Sequence, residues 1–274
     1  MKSFFYVLML SSLTTYAKEN INYKDYYKNS QGCFILFDVK KNKIVEEYNE
    51  KFCKEQMPPN STFKIPLSII GFDKKILKDE KNPEWKFKEE YLTNGFQSWM
   101  PVQWKEANTP SSWLKYSVLW YSQELANKIG TESIKGYLNK FDYGNMDFSG
   151  KTEKNNVSTI PWVDSSLKIS AENQIQFLKN FVLKKLPVSD YSIEMTKKLL
   201  LIDQNNSKIS LFGKTGAGFM EKRIAHGWFI GWVEKENNSY LFVSRIKDNL
   251  SDGELNSVVA RENAMKFLQK LDIL

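Results

Sequence analysis

Ser61-Thr62-Phe63-Lys64 follows Met57-Pro58-Pro59-Asn60 and runs straight into Ile65-Pro66-Leu67-Ser68-Ile69-Ile70. The two prolines and the asparagine stop whatever precedes them. Asn and Ser are both good N-caps, so the apolar run reads as the start of a buried helix ending near Phe72. Helical residues three apart share a face, which lets Ser61 Oγ meet Lys64 Nζ at the helix N-terminus. There the helix dipole favours developing negative charge. A serine nucleophile needs a base within hydrogen-bond reach, and a lysine one turn on supplies one. Pro66 removes a helical N–H, so a tight or bent first turn is expected. Ser and Lys are common residues, and the tetrapeptide acquires chemical meaning only from the rest of the chain.

Working outward, Gly32–Val39 reads as a strand, Lys40–Lys43 as a turn and Ile44–Tyr48 as a second strand, a hairpin pattern. Beyond the helix, residues 73–110 are interrupted by Pro83, Gly95, Pro101 and Pro110, with Trp99, Met100 and Trp104 in an apparent loop. Ser112–Ile129 reads as one helix closed by Gly130, and Thr131–Phe141 as another capped by Thr131. Residues 142–168 read mostly as loop; helices follow from Ser170 to about Lys184 and from Ser192 to Leu201. Strand patterns return at Lys208–Phe212, His226–Glu234 and Ser239–Lys247, and Leu255–Leu271 closes the chain as a helix. Strands at both ends with helices between them predict an α+β fold: an antiparallel sheet from both chain ends and a central helical subdomain inserted at about residues 60–205.

The 274 residues suffice for one large domain, and a 42% hydrophobic fraction supports a substantial core. The net charge of +7 is spread among glutamates and asparagines without long blocks, so no nucleic-acid stripe is expected. Lys2, the apolar run Phe4–Leu10 and the small residues Thr15 and Ala17 read as a secretory signal over residues 1–17, leaving 18–274 as the mature domain. That apolar run is too short to span a bilayer, and no cysteine follows it. The expectation is a secreted, periplasmic protein without a stable membrane anchor, either monomer or dimer. Export permits a disulfide between Cys33 and Cys53, but pairing needs close Cα atoms, which a sequence does not display. With two cysteines and the single histidine His226, ligands for a structural zinc are too few. His226, beside a strand, reads as structural, so a histidine triad is disfavoured and the base must be another group.

Three further motifs follow the first in order: Tyr116-Ser117-Val118-Leu119, Tyr143-Gly144-Asn145 and Lys214-Thr215-Gly216 with Ala217-Gly218 behind it. S-x-x-K paired with K-T-G resembles the penicillin-recognising serine enzymes. The absence of S-D-N argues against the class A branch. Y-G-N, the run Gly227–Val233, and Trp162 followed by Ser165–Ser170 resemble the class D β-lactamases, the oxacillinases. The resemblance spans Gly32 to the C-terminus. The family's second motif usually ends in valine, and here Leu119 stands there, which keeps an apolar wall of different shape.

The resemblance implies a serine β-lactamase fold and penicillin-type β-lactams as small-molecule substrates. It also implies no metal, and no cofactor besides CO2, taken up as a carbamate on Lys64. Ser61 would be the nucleophile and the Lys64 carbamate its base, in acylation and again in hydrolysis. A free lysine, with a pKa of about 10.4, is a poor base at neutral pH unless burial lowers it. Phe63, Val118, Leu119, Trp162 and Leu167 are the apolar candidates to do so, and by analogy the Trp162 indole N–H would hold the carbamate. Ser117, tuned by Lys214, would pass a proton to the leaving nitrogen. Lys214 and Thr215 would bind the substrate carboxylate, and the Ser61 and Ala217 N–H groups would form the oxyanion hole. Gly216, Val118, Leu119 and Met100 would complete the binding surface. Many family members carry an arginine on the last helix that binds the substrate carboxylate. Here Ala260 aligns with it and Arg261 lies one position along, about 100° round a helix, so Arg261 and Ser257, one turn earlier, are both candidates.

Three rivals remain: a penicillin-sensing receptor domain or a penicillin-binding transpeptidase, each acylating without efficient turnover, and a secreted basic binding protein with no chemistry.

Overall fold

Strand β1, Gln31–Asp38, is buried from Gly32 onward. A strand covered on both faces sends alternate side chains to two cores. Cys33, Ile35 and Phe37 join one core, and Phe34 and Leu36 the other. In this computed structural model the described residues are 21–28, 30–92, 101–150, 160–205, 208–220, 224–248 and 256–274; the expected leader and Met100 lie outside them.

β1 pairs antiparallel with β2, Lys43–Tyr48, and on its other side with β6, Asn238–Asp248. β5, Ile224–Lys235, β4, Ile209–Met220, and β3, Leu201–Asn205, continue outward, giving the order β2-β1-β6-β5-β4-β3. The first and last parts of the chain thus meet at the centre of one antiparallel sheet, as the α+β reading expects. The sequence reading contains no strand at β3, and β4 extends well beyond the expected Phe212.

One face of the sheet is covered by the helix α1, Tyr23–Tyr27, and by the last helix, Asn256–Lys270. Phe267 anchors that layer, edge-on to Tyr23 at 4.7 Å and to Phe34 at 5.0 Å. The other face carries the helical subdomain. Its elements are α2, Glu50–Lys54; α3, Lys64–Asp73; α4, Pro110–Tyr116; α5, Leu119–Ile129; α6, Thr131–Phe141; α7, Ala171–Val182; and α8, Asp190–Leu200. The last helix is therefore α9. Ser170 caps α7 by accepting from Asn173 N at 3.1 Å, as its position suggests.

The single helix expected over Ser112–Ile129 is two. Ser117 adopts the left-handed conformation, φ 58 and ψ 36, and ends α4; Val118 is non-helical, and α5 starts at Leu119. The Val118 N–H returns to Trp113 O at 3.1 Å, and Trp113 Nε1 donates to Ser122 Oγ at 2.8 Å, fixing the corner. α4 also begins earlier, with Pro110 in its first turn and a Thr109–Ser112 capping box.

Cys33 and Cys53 form a disulfide with Cα atoms 5.4 Å apart, tying α2 to β1 across 20 residues of chain. Closing a loop of that length stabilises by about 3 kcal/mol in the chain-entropy account. The Cys33→Ala/Cys53→Ala double variant should lose about that much in urea unfolding; an unchanged midpoint would contradict this.

Candidate active site

The chain enters the site through a 3₁₀ turn, Asn60–Phe63, which passes into α3 at Lys64. This is the tight first turn expected ahead of Pro66. No side chain caps it, so Ser61 lies inside the turn and is not an N-cap. Thr62 locks the turn, its N–H and Oγ1 both donating to Pro59 O at 3.1 and 2.8 Å. Lys64 Nζ donates to Ser61 Oγ at 3.2 Å. Lys64 is 1% exposed, and no carboxylate pairs with it among the described residues. Burial first, and the nearby Lys214 charge second, hold this amine well below the ordinary lysine range of 10.5. Removing a charge from water with no counter-ion favours the neutral form, which can accept a proton.

Aromatic rings wall the turn. Phe63 stacks on Trp162 at 5.2 Å, and Trp162 on Phe148 at 5.6 Å. Trp162 O accepts from Asn60 N at 2.9 Å, fastening this wall to the residue before Ser61. The Tyr143-Gly144-Asn145 motif fixes the same wall from behind. Asn145 Oδ1 accepts from Lys168 N at 2.9 Å, and its Nδ2 donates to Ser166 O at 2.9 Å. A Cβ on Gly144, whose φ is 59, would lie 2.1 Å from Lys168 O, so only glycine permits the approach. Tyr143 is buried edge-on to Phe177 at 5.0 Å. The motif thus shapes the loop that carries Trp162.

Ser117 is half-buried at the left-handed corner between α4 and α5, and α5 packs on α3. Val118 and Leu119 behind it are buried. Trp104 is buried as well, its indole donating to Tyr116 O at 2.8 Å next to that corner.

β4 supplies the opposite wall. Gly216 lies so close to the Asn60–Phe63 turn that a Cβ would sit 2.8 Å from Pro59 O. Thr215 and Ala217 are half-buried, and in register Thr215 faces Phe229 and Ala217 faces Gly227 on β5. Lys214 is 6% exposed, and its Nζ donates to Thr215 O at 3.1 Å. Burial, then the Arg261 charge, push its amine down to about 7. Arg261 on α9 is exposed, with its guanidinium 5.9 Å from the Phe229 ring centre. Ala260 is fully buried and uncharged, whereas the Arg261 charge is near enough to Lys214 to act on its amine. Ser257 is buried in the first turn of α9, where its backbone lies on Gly227.

The lowered Lys214 pKa fixes a sign. Below about pH 7 both folded and unfolded chains carry the proton, and the folded chain bears the full cost of a buried charge. Between about 7 and 10.5 the unfolded chain binds more protons, so stability rises with pH. Lys214→Met should therefore be more stable than wild type at pH 6, with the advantage shrinking by about 1.4 kcal/mol per pH unit across that window. Denaturant unfolding at several pH values measures it; a difference independent of pH would contradict the burial argument.

The structure also brings in three residues that sequence reasoning left out or took as structural: Asn60, Asp164 and His226. His226 Nε2 lies 3.1 Å from both Asn60 Nδ2 and Asp164 Oδ1. The only sequence signal for them was proximity, Asn60 to Ser61 and Asp164 to Trp162.

Known proteins match this arrangement across most of the chain. The profile of the penicillin binding protein transpeptidase domain matches residues 8–266. The β-lactamase OXA-1 of Escherichia coli is 41% identical over 249 residues, 90% of this chain and 87% of that protein. The solved structure of the class D β-lactamase OXA-427 superposes with a TM-score of 0.76 at 35% identity, covering 88% of this chain and 100% of that one. The methicillin resistance mecR1 protein of Staphylococcus aureus is 29% identical over 261 residues, 93% of this chain and 41% of that protein.

Proposed function

The chain belongs to the penicillin-binding protein transpeptidase family and, within it, to the class D serine β-lactamases, and on that premise we propose that Ser61 opens the β-lactam ring of penicillin-type antibiotics as an acyl-enzyme that Lys64 then helps water to release. The observation that carries this reading is the buried Lys64 amine, held below its ordinary pKa, 3.2 Å from Ser61 Oγ.

In acylation, Ser61 Oγ attacks the lactam carbonyl and gives its proton towards Lys64. The carbonyl oxygen gains negative charge and is received by the backbone N–H groups of Ser61 and Ala217; such a donor contributes about 2.7–4 kcal/mol to lowering the barrier. The lactam C–N bond breaks, and the nitrogen takes a proton from Ser117, made easier to lose by Lys214; Ser117 is reprotonated by the proton that Ser61 gave to Lys64, which leaves Lys64 free to accept again. The substrate carboxylate lies against Lys214 and Thr215, with Arg261 adding positive charge from α9. In the second half, water attacks the Ser61 ester, its proton is taken on the Lys64 side, and Ser61 is regenerated.

A buried amine held below its ordinary pKa suits addition of CO2, and the Trp162 indole, stacked on Phe63 beside Lys64, would be the donor that holds that group. When present, the carboxylate on Lys64 supplies a stronger proton acceptor at the same position. Among the described residues no cluster of His, Cys, Asp and Glu could hold a metal, and class D enzymes need none. We further infer export to the periplasm, on the signal-like N-terminus and the Cys33–Cys53 bridge.

The likeness to the mecR1 protein supports a second reading, a domain that is acylated without efficient turnover. Nitrocefin separates the two. The hydrolase reading expects many equivalents of hydrolysed product per protein and, on expression in a susceptible bacterium, penicillin resistance. A single stoichiometric burst would support the second reading, and no reaction would remove both.

A further inference from the structure

His226 is fully buried on β5, and its Nδ1 has no hydrogen-bond partner among the described residues. Burying an imidazole costs free energy unless its polar atoms are bonded, and a leucine or phenylalanine would fill the space without that cost. The ring is oriented through Nε2 alone, at 3.1 Å from Asp164 Oδ1 and from Asn60 Nδ2. The ring tautomer decides which of the two Nε2 bonds: protonated, it donates to Asp164 Oδ1, and unprotonated, it accepts from Asn60 Nδ2.

This cluster joins the three walls of the site. Asn60 precedes Ser61 and is held in the left-handed region at φ 48. Its Oδ1 accepts from Asp164 N at 3.2 Å, and its N–H donates to Trp162 O at 2.9 Å. His226 pairs in register with Gly218, the residue after Ala217. Gly218 must be bare: a Cβ there would lie 2.1 Å from Asp164 Oδ1 and 2.3 Å from Asn60 Nδ2. The carboxylate and the amide therefore occupy the space over β4 directly beside the oxyanion donor Ala217.

We propose that His226, acting with Asp164 through Asn60, is a positioning residue that sets the spacing between the Ser61 and Ala217 N–H groups and holds Trp162 against the Lys64 pocket. This rests on the acylating-serine reading above. The ring touches no substrate; it fixes the frame in which the oxyanion forms. Its loss lowers the rate of chemistry and leaves substrate binding largely intact, because Lys214, Thr215 and Arg261 do not depend on it.

The test compares the wild-type enzyme with His226→Leu and His226→Gln, measuring the acylation rate, kcat and KM with nitrocefin, and thermal unfolding. His226→Leu should fold as stably as wild type and lose about 10- to 100-fold in acylation rate and kcat, with KM changed by less than about threefold, the scale expected for sub-ångström misplacement. His226→Gln, which keeps a side-chain N–H donor, should recover most of the rate. Wild-type rates in His226→Leu, or equal loss in both variants, overturn the proposal while leaving the β-lactamase reading intact. A wild-type protein that acylates but fails to turn over removes that reading instead, and the acylation rates still decide the proposal; absence of acylation removes both. Should His226→Leu fail to fold, the wild type decides. His226 is the only histidine in the chain, so its imidazole nitrogen resonances report it alone. Acylation by a slowly released β-lactam should shift the Nε2 signal, and an unmoved signal overturns the proposal.

Discussion

Lys64→Ala is expected to reduce kcat/KM by about 10⁴-fold, the upper end of what one positioned base contributes, because in the proposed mechanism the same group serves both halves of the cycle. Acylation and deacylation, followed separately by burst and single-turnover measurements, should both slow. Loss confined to one half would assign the other proton transfer to a different residue, and wild-type turnover would remove Lys64 from the mechanism. The fold should survive, because the variant removes a buried amine whose charge is already disfavoured there. The pH dependence follows from the direction of the shift. As pH falls through the lowered pKa of Lys64, the amine takes up a proton, stops acting as an acceptor and stops adding CO2, so activity should fall towards acid pH. Added bicarbonate should raise activity, most visibly where the enzyme has been depleted of CO2. Activity indifferent to both conditions would count against a carboxylated base.

Ser61→Ala should be the most damaging substitution, with turnover down by about 10⁶-fold, since removing a nucleophile disables the whole nucleophile–base unit at once. Ser61 is half-buried in its turn, and alanine suits the same 3₁₀ geometry, so stability should change little. Intact-protein mass spectrometry after mixing with a penicillin should show the acyl adduct in wild type and none in the variant. An adduct on Ser61→Ala would mean that another hydroxyl, Ser117 foremost, is the site of acylation. The Ser61→Ala/Lys64→Ala double variant should lose far less than the product of the two single losses, because neither residue does much without the other.

Much of this architecture was written in residue patterns. The apolar run after Lys64, the hairpin of β1 and β2 and the strand patterns near the C-terminus are periodic signals of the kind a single sequence displays. So is the order of S-x-x-K, Y-G-N and K-T-G. What escaped was set by contacts between distant segments. Ser117 breaks a stretch that reads as continuous helix, because serine carries no strong signal for a left-handed corner; Trp113 and Ser122 hold it in place. The strand β4 runs on through Gly216 and Gly218, past the Phe212 end expected from sequence, although glycine weakens a strand interior. They are the positions where the Pro59 carbonyl, Asn60 and Asp164 come too close for a side chain. The disulfide could not be decided without the Cα separation of 5.4 Å. His226 reads as structural from its place beside a strand, and its contacts with Asn60 and Asp164 were hidden because those residues lie 166 and 62 positions away. Arg261 was one of two candidates, and its charge beside Lys214, with Ser257 buried against Gly227, separates their surroundings.

The proposed chemistry depends on one amine being neutral inside an apolar wall. The measurement that addresses it most directly is carbon NMR of wild-type protein equilibrated with ¹³C-bicarbonate at mildly alkaline pH. A single carbamate resonance should appear at about one equivalent per chain, fade on acidification in step with activity, and be absent from Lys64→Ala. A fully active enzyme that shows no such resonance would contradict an uncharged, carboxylated Lys64 as the base.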